Sequence, residues 1–116
     1  MQVVNLTKGT ILADRADVAD SFSRRLVGLI RHRRWYLEAG RGLVIRPCNG
    51  IHTLFMRFPL DVAFLDREGR VISQIAELFP YRFSPVVARA AAAVELPAGM
   101  LALSRTEVGD QIVSLM

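Results

Sequence analysis

The sequence predicts a mainly β (α+β) fold in a single domain spanning residues 1–116. Antiparallel strands close into a small barrel or sandwich, with one amphipathic helix near residues 16–30 and a short helix near 97–104. Three observations carry this expectation. Apolar runs of strand length recur along the chain, each bounded by Gly, Pro or Asp. One stretch alone, Val18, Phe22, Leu26 and Leu29, repeats clearly at helical spacing. A chain of 116 residues that is 52% apolar supplies one core and resists disorder.

Taken in order, Gln2–Leu6 and Thr10–Ala13 read as strands around Lys8-Gly9, a hairpin signal with Gly in the turn. From Asp17 the period lengthens. Asp20 and Arg24 pair at i,i+4, and Asp14 or Asp17 caps the helix expected over 16–30. Arg31–Arg34 is a solvated run, and Trp35-Tyr36-Leu37 turns back toward the core before Gly40 and Gly42. Leu43–Arg46 is a strand stopped by Pro47. Ile51–Phe58 and Leu60–Leu65 are strands separated at Pro59, which marks a bend or an edge. Asp66-Arg67-Glu68-Gly69 is a tight turn, and Arg70–Leu78 is the returning strand. Phe79–Pro85, with two prolines and three aromatics, is an ordered loop. Residues 92–96 favour a strand over the helix that Ala90–Ala93 would otherwise prefer. Pro97 opens the short helix, Val108-Gly109-Asp110 is a turn, and Gln111–Leu115 closes the chain as a strand.

Composition excludes several classes of function. No window approaches the length of uncharged apolar residues that spans a membrane. The N-terminus lacks a basic segment followed by an apolar one, so a cytoplasmic location is expected. The single cysteine cannot form an internal disulfide, which is compatible with a reducing compartment. The formal net charge is +4, and residues 24–46 carry seven arginines against Glu38 alone. That Arg24–Arg46 patch could attract nucleic acid. A solvated basic face is favoured over it, because only Trp35 and Tyr36 interleave with the charge and no nucleic-acid motif accompanies it.

The stretch Cys48 to Asp66, CNGIHTLFMRFPLDVAFLD, concentrates the chemistry. Cys48, His52 and Met56 look like a soft ligand set. On a strand, however, residues four apart stand roughly 13 Å from each other, too far to share an ion. No metal site and no cofactor is expected. The same spacing rules out a direct Cys48–His52 nucleophile–base pair. No nucleophile elbow, phosphate loop, HExxH or paired-cysteine motif occurs. Arg57 and Asp61 differ, because they flank Phe58-Pro59-Leu60 in the most apolar part of the chain, where a charge needs a partner. One reading is structural: an Arg57–Asp61 bridge, or Asp61 accepting from backbone amides. The other is a polar pocket of His52, Arg57 and Asp61, joined by Arg25 and by Glu95, an acid set within an apolar strand. Cys48 is the candidate reactive thiol, against the ordinary reading of a small buried hydrophobe.

Several blocks occur together and in order: Arg25-Leu26-Val27-Gly28-Leu29-Ile30, His52 through Asp66, Glu95-Leu96-Pro97-Ala98-Gly99, and Val108-Gly109-Asp110. With them the chain resembles the domain of unknown function 192 family over nearly its whole length. The resemblance implies a small, single-domain, β-rich barrel or sandwich and carries no established activity. Ile30 stands where the family block has Met, and the basic residue that usually follows falls on His32 or Arg33.

The function expected is that of a small binding or accessory domain. His52, Arg57 and Asp61, with Arg25 and Glu95, would recognise an anionic or hydroxylated small ligand or a segment of a partner protein. The alternative is a hydrolase or lyase using His52 or Asp61 as general base, with Cys48 or water as nucleophile. Nucleic-acid binding through the Arg24–Arg46 patch ranks third.

Overall fold

Leu60–Leu65 is buried at every position, with no alternation between faces. A strand can do this only inside a sheet covered on both sides. The computed structural model describes residues 1–19, 40–53 and 58–115, and in it this strand lies in a five-stranded sheet. The strands are β1 (Gln2–Asn5), β2 (Thr10–Ala13), β3 (Arg15–Ala19), β4 (Arg41–Ile45), β5 (Leu60–Leu65), β6 (Val71–Leu78), β7 (Ala92–Pro97) and β8 (Ile112–Leu115), with a one-turn helix α1 at Met100–Leu103. The small sheet has the order β2-β1-β8, and the large sheet β3-β4-β7-β5-β6. All pairings are antiparallel except β3 with β4.

Two apolar cores flank the large sheet. Val44, Ala63, Leu65, Val94 and Leu96 point to the small sheet, where they meet Val3, Leu12 and Ile112, with Leu101 of α1 closing the end. Leu43, Ile45, Leu60, Val62, Phe64 and Ala93 point the other way. There Cys48, Ile51, Phe58, Val87 and Ala90 cover them from connecting segments. The architecture is therefore a two-sheet sandwich with an added layer of loops. Among the described residues it is not a closed barrel, because the sheets remain separate.

The hairpin, β5, β6, β7 and β8 fall within a residue or two of where the sequence places them. Three elements do not. The short helix expected near 97–104 spans only Met100–Leu103, because Pro97 ends β7 and Gly99 caps the helical turn. The helix expected over 16–30 does not begin there, since Arg15–Ala19 is a strand in parallel register with Arg41–Ile45; residues 20–30 lie outside the described residues. Ala16 and Ala19 are buried in opposite cores, and pairing with β4 satisfies the backbone that a helical turn would otherwise have satisfied. Asp17, a proposed cap, is exposed within that strand. Of the strand expected over 51–58, the described residues 51–53 and 58 form no regular strand. His52 makes a single bridge to Phe83, and residues 54–57 lie outside the described residues.

Candidate functional site

Asp61 sits on β5, facing the inter-sheet core, and is completely buried. Three backbone amides close on its carboxylate. Oδ1 accepts from Glu77 N at 2.9 Å, and Oδ2 accepts from Gly99 N at 3.1 Å and Leu101 N at 2.9 Å. The local chain shape explains each donor. An extra residue in β6 opposite Leu60–Val62, with Glu77 in the left-handed region, turns the Glu77 amide out of the ladder. Gly99 caps α1 without a side chain to satisfy its first amides, so Asp61 caps the helix from a neighbouring strand. These contacts are those of the structural reading, in which backbone amides hold Asp61.

Glu95 is equally buried but opposes Leu43 on one side and Val62 on the other, so it faces the second core. Asp61 opposes Leu96 and faces the first. The large sheet thus stands between the two carboxylates, and they do not share a pocket. His52 lies in a third place. It bridges Phe83, with ring centroids 6.1 Å apart. Arg25 and Arg57 lie outside the described residues.

The segment carrying His52 clasps the loop that follows β6. Thr53, fully buried, donates its hydroxyl to Phe79 O at 2.6 Å and accepts from Arg82 N at 2.9 Å. Backbone bonds run from Thr53 N to Arg82 O, from Tyr81 N to Thr53 O and from Ser84 N to Ile51 O. Held from below in this way, the loop presents Phe79, Tyr81, Phe83 and Val86, each 56–77% exposed. So many large apolar groups within eight residues are unusual for a free surface. Arg82 is exposed in this loop and Arg89 shortly after it, with Glu77 exposed just before it.

Cys48 is buried, and its thiol donates to Gly50 O at 3.2 Å. It borders a surface cavity of about 300 Å³ with Pro47, Asn49, Gly50 and Ala90. Among the described residues no group of three or more His, Cys, Asp or Glu side chains gathers as metal ligands would. No helix among them is long and apolar enough to cross a membrane.

A second polar centre, which no sequence motif marks, gathers around Asp110. Asp110 accepts from Asn5 Nδ2 at 2.9 Å, Lys8 Nζ at 2.8 Å and Glu107 N at 3.0 Å. Asn5 also donates to Thr106 Oγ1, which contacts Ser104 Oγ at 2.7 Å. The hydrogen bond from Asn5, then that from Lys8, holds the Asp110 carboxyl down at about 2, and the same carboxylate with Glu107 raises the Lys8 ammonium above its ordinary value. Asn5 inside the apolar run Val3-Val4-Asn5-Leu6 was the available signal, since a buried amide at a strand end implies a partner.

Known proteins agree with this architecture. Two UPF0127 proteins, from Pyrococcus furiosus and Pyrococcus horikoshii, are each 34% identical over 111 residues, covering 95% of this chain and 95–96% of theirs. A crystal structure of a protein of unknown function from Novosphingobium aromaticivorans superposes with a TM-score of 0.82 at 23% identity, over 98% of this chain and 84% of that one. A Sinorhizobium meliloti structure, provisionally described as a transcription regulator, gives 0.74 at 20% identity, over 97% and 89%. Both likenesses concern the fold alone. The model of the family described as uncharacterized ACR matches residues 3–114, so the chain belongs to the domain of unknown function 192 family.

Proposed function

We propose that this protein is a binding domain whose recognition surface is the loop 79–86 together with His52. Its partner is an acidic segment of another protein that carries an apolar anchor. One observation carries the reading: Phe79, Tyr81, Phe83 and Val86 are exposed together on a loop that hydrogen bonds to the buried Thr53 hold in shape. Aromatic side chains with few torsions make good anchors, because little freedom is lost when they are covered. Arg82 and Arg89, against Glu77, give the surroundings a positive balance, which selects acidic partners and speeds their encounter. Arg57 and Arg25, expected site members, belong to the same proposal as further cationic donors. Asp61 and Glu95 contribute by holding β5 and β7, not by contact, and a general-base role for Asp61 is disfavoured by its three amide donors.

Selection from a random twelve-residue peptide library tests this. Enriched peptides should pair aromatic or branched residues with Asp and Glu. Replacing both Phe79 and Phe83 with Ser should weaken them by about 2 kcal/mol or more, as expected for paired anchors. Added salt should weaken them further. If the selected peptides bind the doubly substituted protein as well as the original, the loop is not the surface. If a twelve-nucleotide poly-uridine strand binds through the same residues and peptides do not, the partner is nucleic acid and the reading falls.

A further inference from the structure

The chain has two asparagines, Asn5 and Asn49, and the fold treats them oppositely. Asn5 is fully buried, its amide donates to Thr106 Oγ1 and Asp110 Oδ2, and the branched Leu6 follows it. Asn49 is exposed, and Gly50 follows it. Among the described residues, neither the Asn49 side chain nor the Gly50 N–H makes a hydrogen bond. Both residues border the surface cavity of about 300 Å³ beside Cys48 and Ala90.

Asparagine is a thermolabile residue, because the next main-chain nitrogen can attack its side-chain carbonyl carbon. A following glycine has no Cβ to obstruct that approach. An N–H held by an acceptor gives up its proton reluctantly, and the Gly50 N–H has no such restraint. We propose that Asn49 is a site of spontaneous deamidation, and that its isoaspartyl product loosens the hold of residues 48–53 on the loop 79–86. Gly50 N loses its proton to solvent base and bonds to Asn49 Cγ. The Cγ–Nδ2 bond breaks, and ammonia leaves with a proton from water. Water then opens the cyclic imide. Cleavage of the new N–Cγ bond leaves aspartate, whereas cleavage at the main-chain carbonyl leaves isoaspartate. Water is consumed, ammonia is released, and nothing is oxidised or reduced.

Isoaspartate routes the main chain through its own side chain and lengthens it by one carbon. The main-chain oxygen of residue 49 becomes part of a carboxylate. That oxygen accepts from Val87 N at 2.7 Å, while Cys48 N donates to Ala91 O, Ser84 N to Ile51 O and Ile51 N to Ser84 Oγ. Four bonds set to the original spacing cannot all persist across the added carbon. The inference rests on the geometry of this clasp, whatever partner the loop meets.

Purified protein is held at mildly alkaline pH, and its peptides are mapped by mass spectrometry. Asn49 should convert at least about 10-fold faster than Asn5, and faster still as pH rises. Gly50→Ala adds a Cβ whose nearest neighbours, Pro85 O and Ser84 Oγ, stand at 3.7 Å, an ordinary contact, so it should keep the parental melting temperature. It should slow the conversion by about 10-fold. Asn49→Gln, at an exposed position, keeps the amide but sets it one carbon further out, and it should resist as well. Aged parental protein should be cut several-fold faster within 79–86 than fresh protein, and neither aged variant should change. Conversion of Asn49 no faster than that of Asn5 overturns the proposal, as does equal conversion in Gly50→Ala. Conversion without faster cleavage overturns the effect on the loop.

Discussion

At Asp61, three amides depend on one side chain. Removing it leaves the buried Leu101 N–H and the partly buried Glu77 and Gly99 N–H groups without their acceptor, at up to about 1–3 kcal/mol each. Asp61→Ala should therefore lower the unfolding free energy by about 3 kcal/mol in urea titration. Asp61→Asn, which keeps one acceptor oxygen, should fall between it and the parent. A near-neutral Asp61→Ala would remove Asp61 from the structural role and return it to the site. Asp110 gives a prediction in pH. Its carboxyl is lowered from 3.8 to about 2 in the folded protein, so between those values the unfolded chain binds the extra proton. The stability that Asp110 contributes is complete above about pH 4 and is lost as pH falls toward 2. Acid titration of stability should be shallower in Asp110→Asn over that window, and unaltered steepness would show that other carboxylates govern it. Lys8 acts in the opposite sense. Its contribution is complete below 10.5 and fades only as pH rises past its elevated value.

Among the elements, the loop 79–86 takes its shape from the segment 51–53, through backbone bonds and the Thr53 hydroxyl. Thr53→Val keeps the volume and removes the bonds to Phe79 O and Arg82 N. It should cost about 1–3 kcal/mol and speed proteolytic cleavage within 79–86. Cleavage at the parental rate would mean that the backbone bonds to 51–53 hold the loop unaided. Elements with a strong local signature are the ones legible in the sequence. β5 reads directly because an uninterrupted apolar run fits only a doubly covered strand, and the β1–β2 hairpin reads from Gly9, which adopts a left-handed turn. β3 does not read, because Val18 begins a helical period and the strand's partner, β4, lies some twenty residues further on. The role of Asp61 stays open between two readings for the same reason. Its donors lie 16, 38 and 40 positions away; the Glu77 amide becomes available only through a bulge that no local pattern announces, and the Gly99 and Leu101 amides come from a short helix whose packing against β5 is not a local property. The exposed aromatics were visible as letters, but their exposure depends on which segment reaches Thr53.

Across the whole molecule, the large sheet divides the candidate residues that the sequence groups together. Asp61 looks toward the small sheet, Glu95 toward the loop layer, and His52 lies on the loop clasp. Residues close along a strand are separated by its pleat, whereas residues a hundred positions apart, such as Asn5 and Asp110, touch. The small sheet consists of the first two strands and the last, with Gln2 opposite Leu115 and Asn5 opposite Ile112. Paired in this way, positions 2 and 115 stand about 5 Å apart. A peptide of a few glycines and serines could therefore bridge them, and new ends could be opened beside exposed Arg89. This circularly permuted chain should fold to the same sandwich with little loss of melting temperature. Failure to fold would mean that β1 and β2 must form as a free-ended hairpin before β8 arrives. Success would make the order of the strands along the chain a matter of ancestry, with their order in space left to physics.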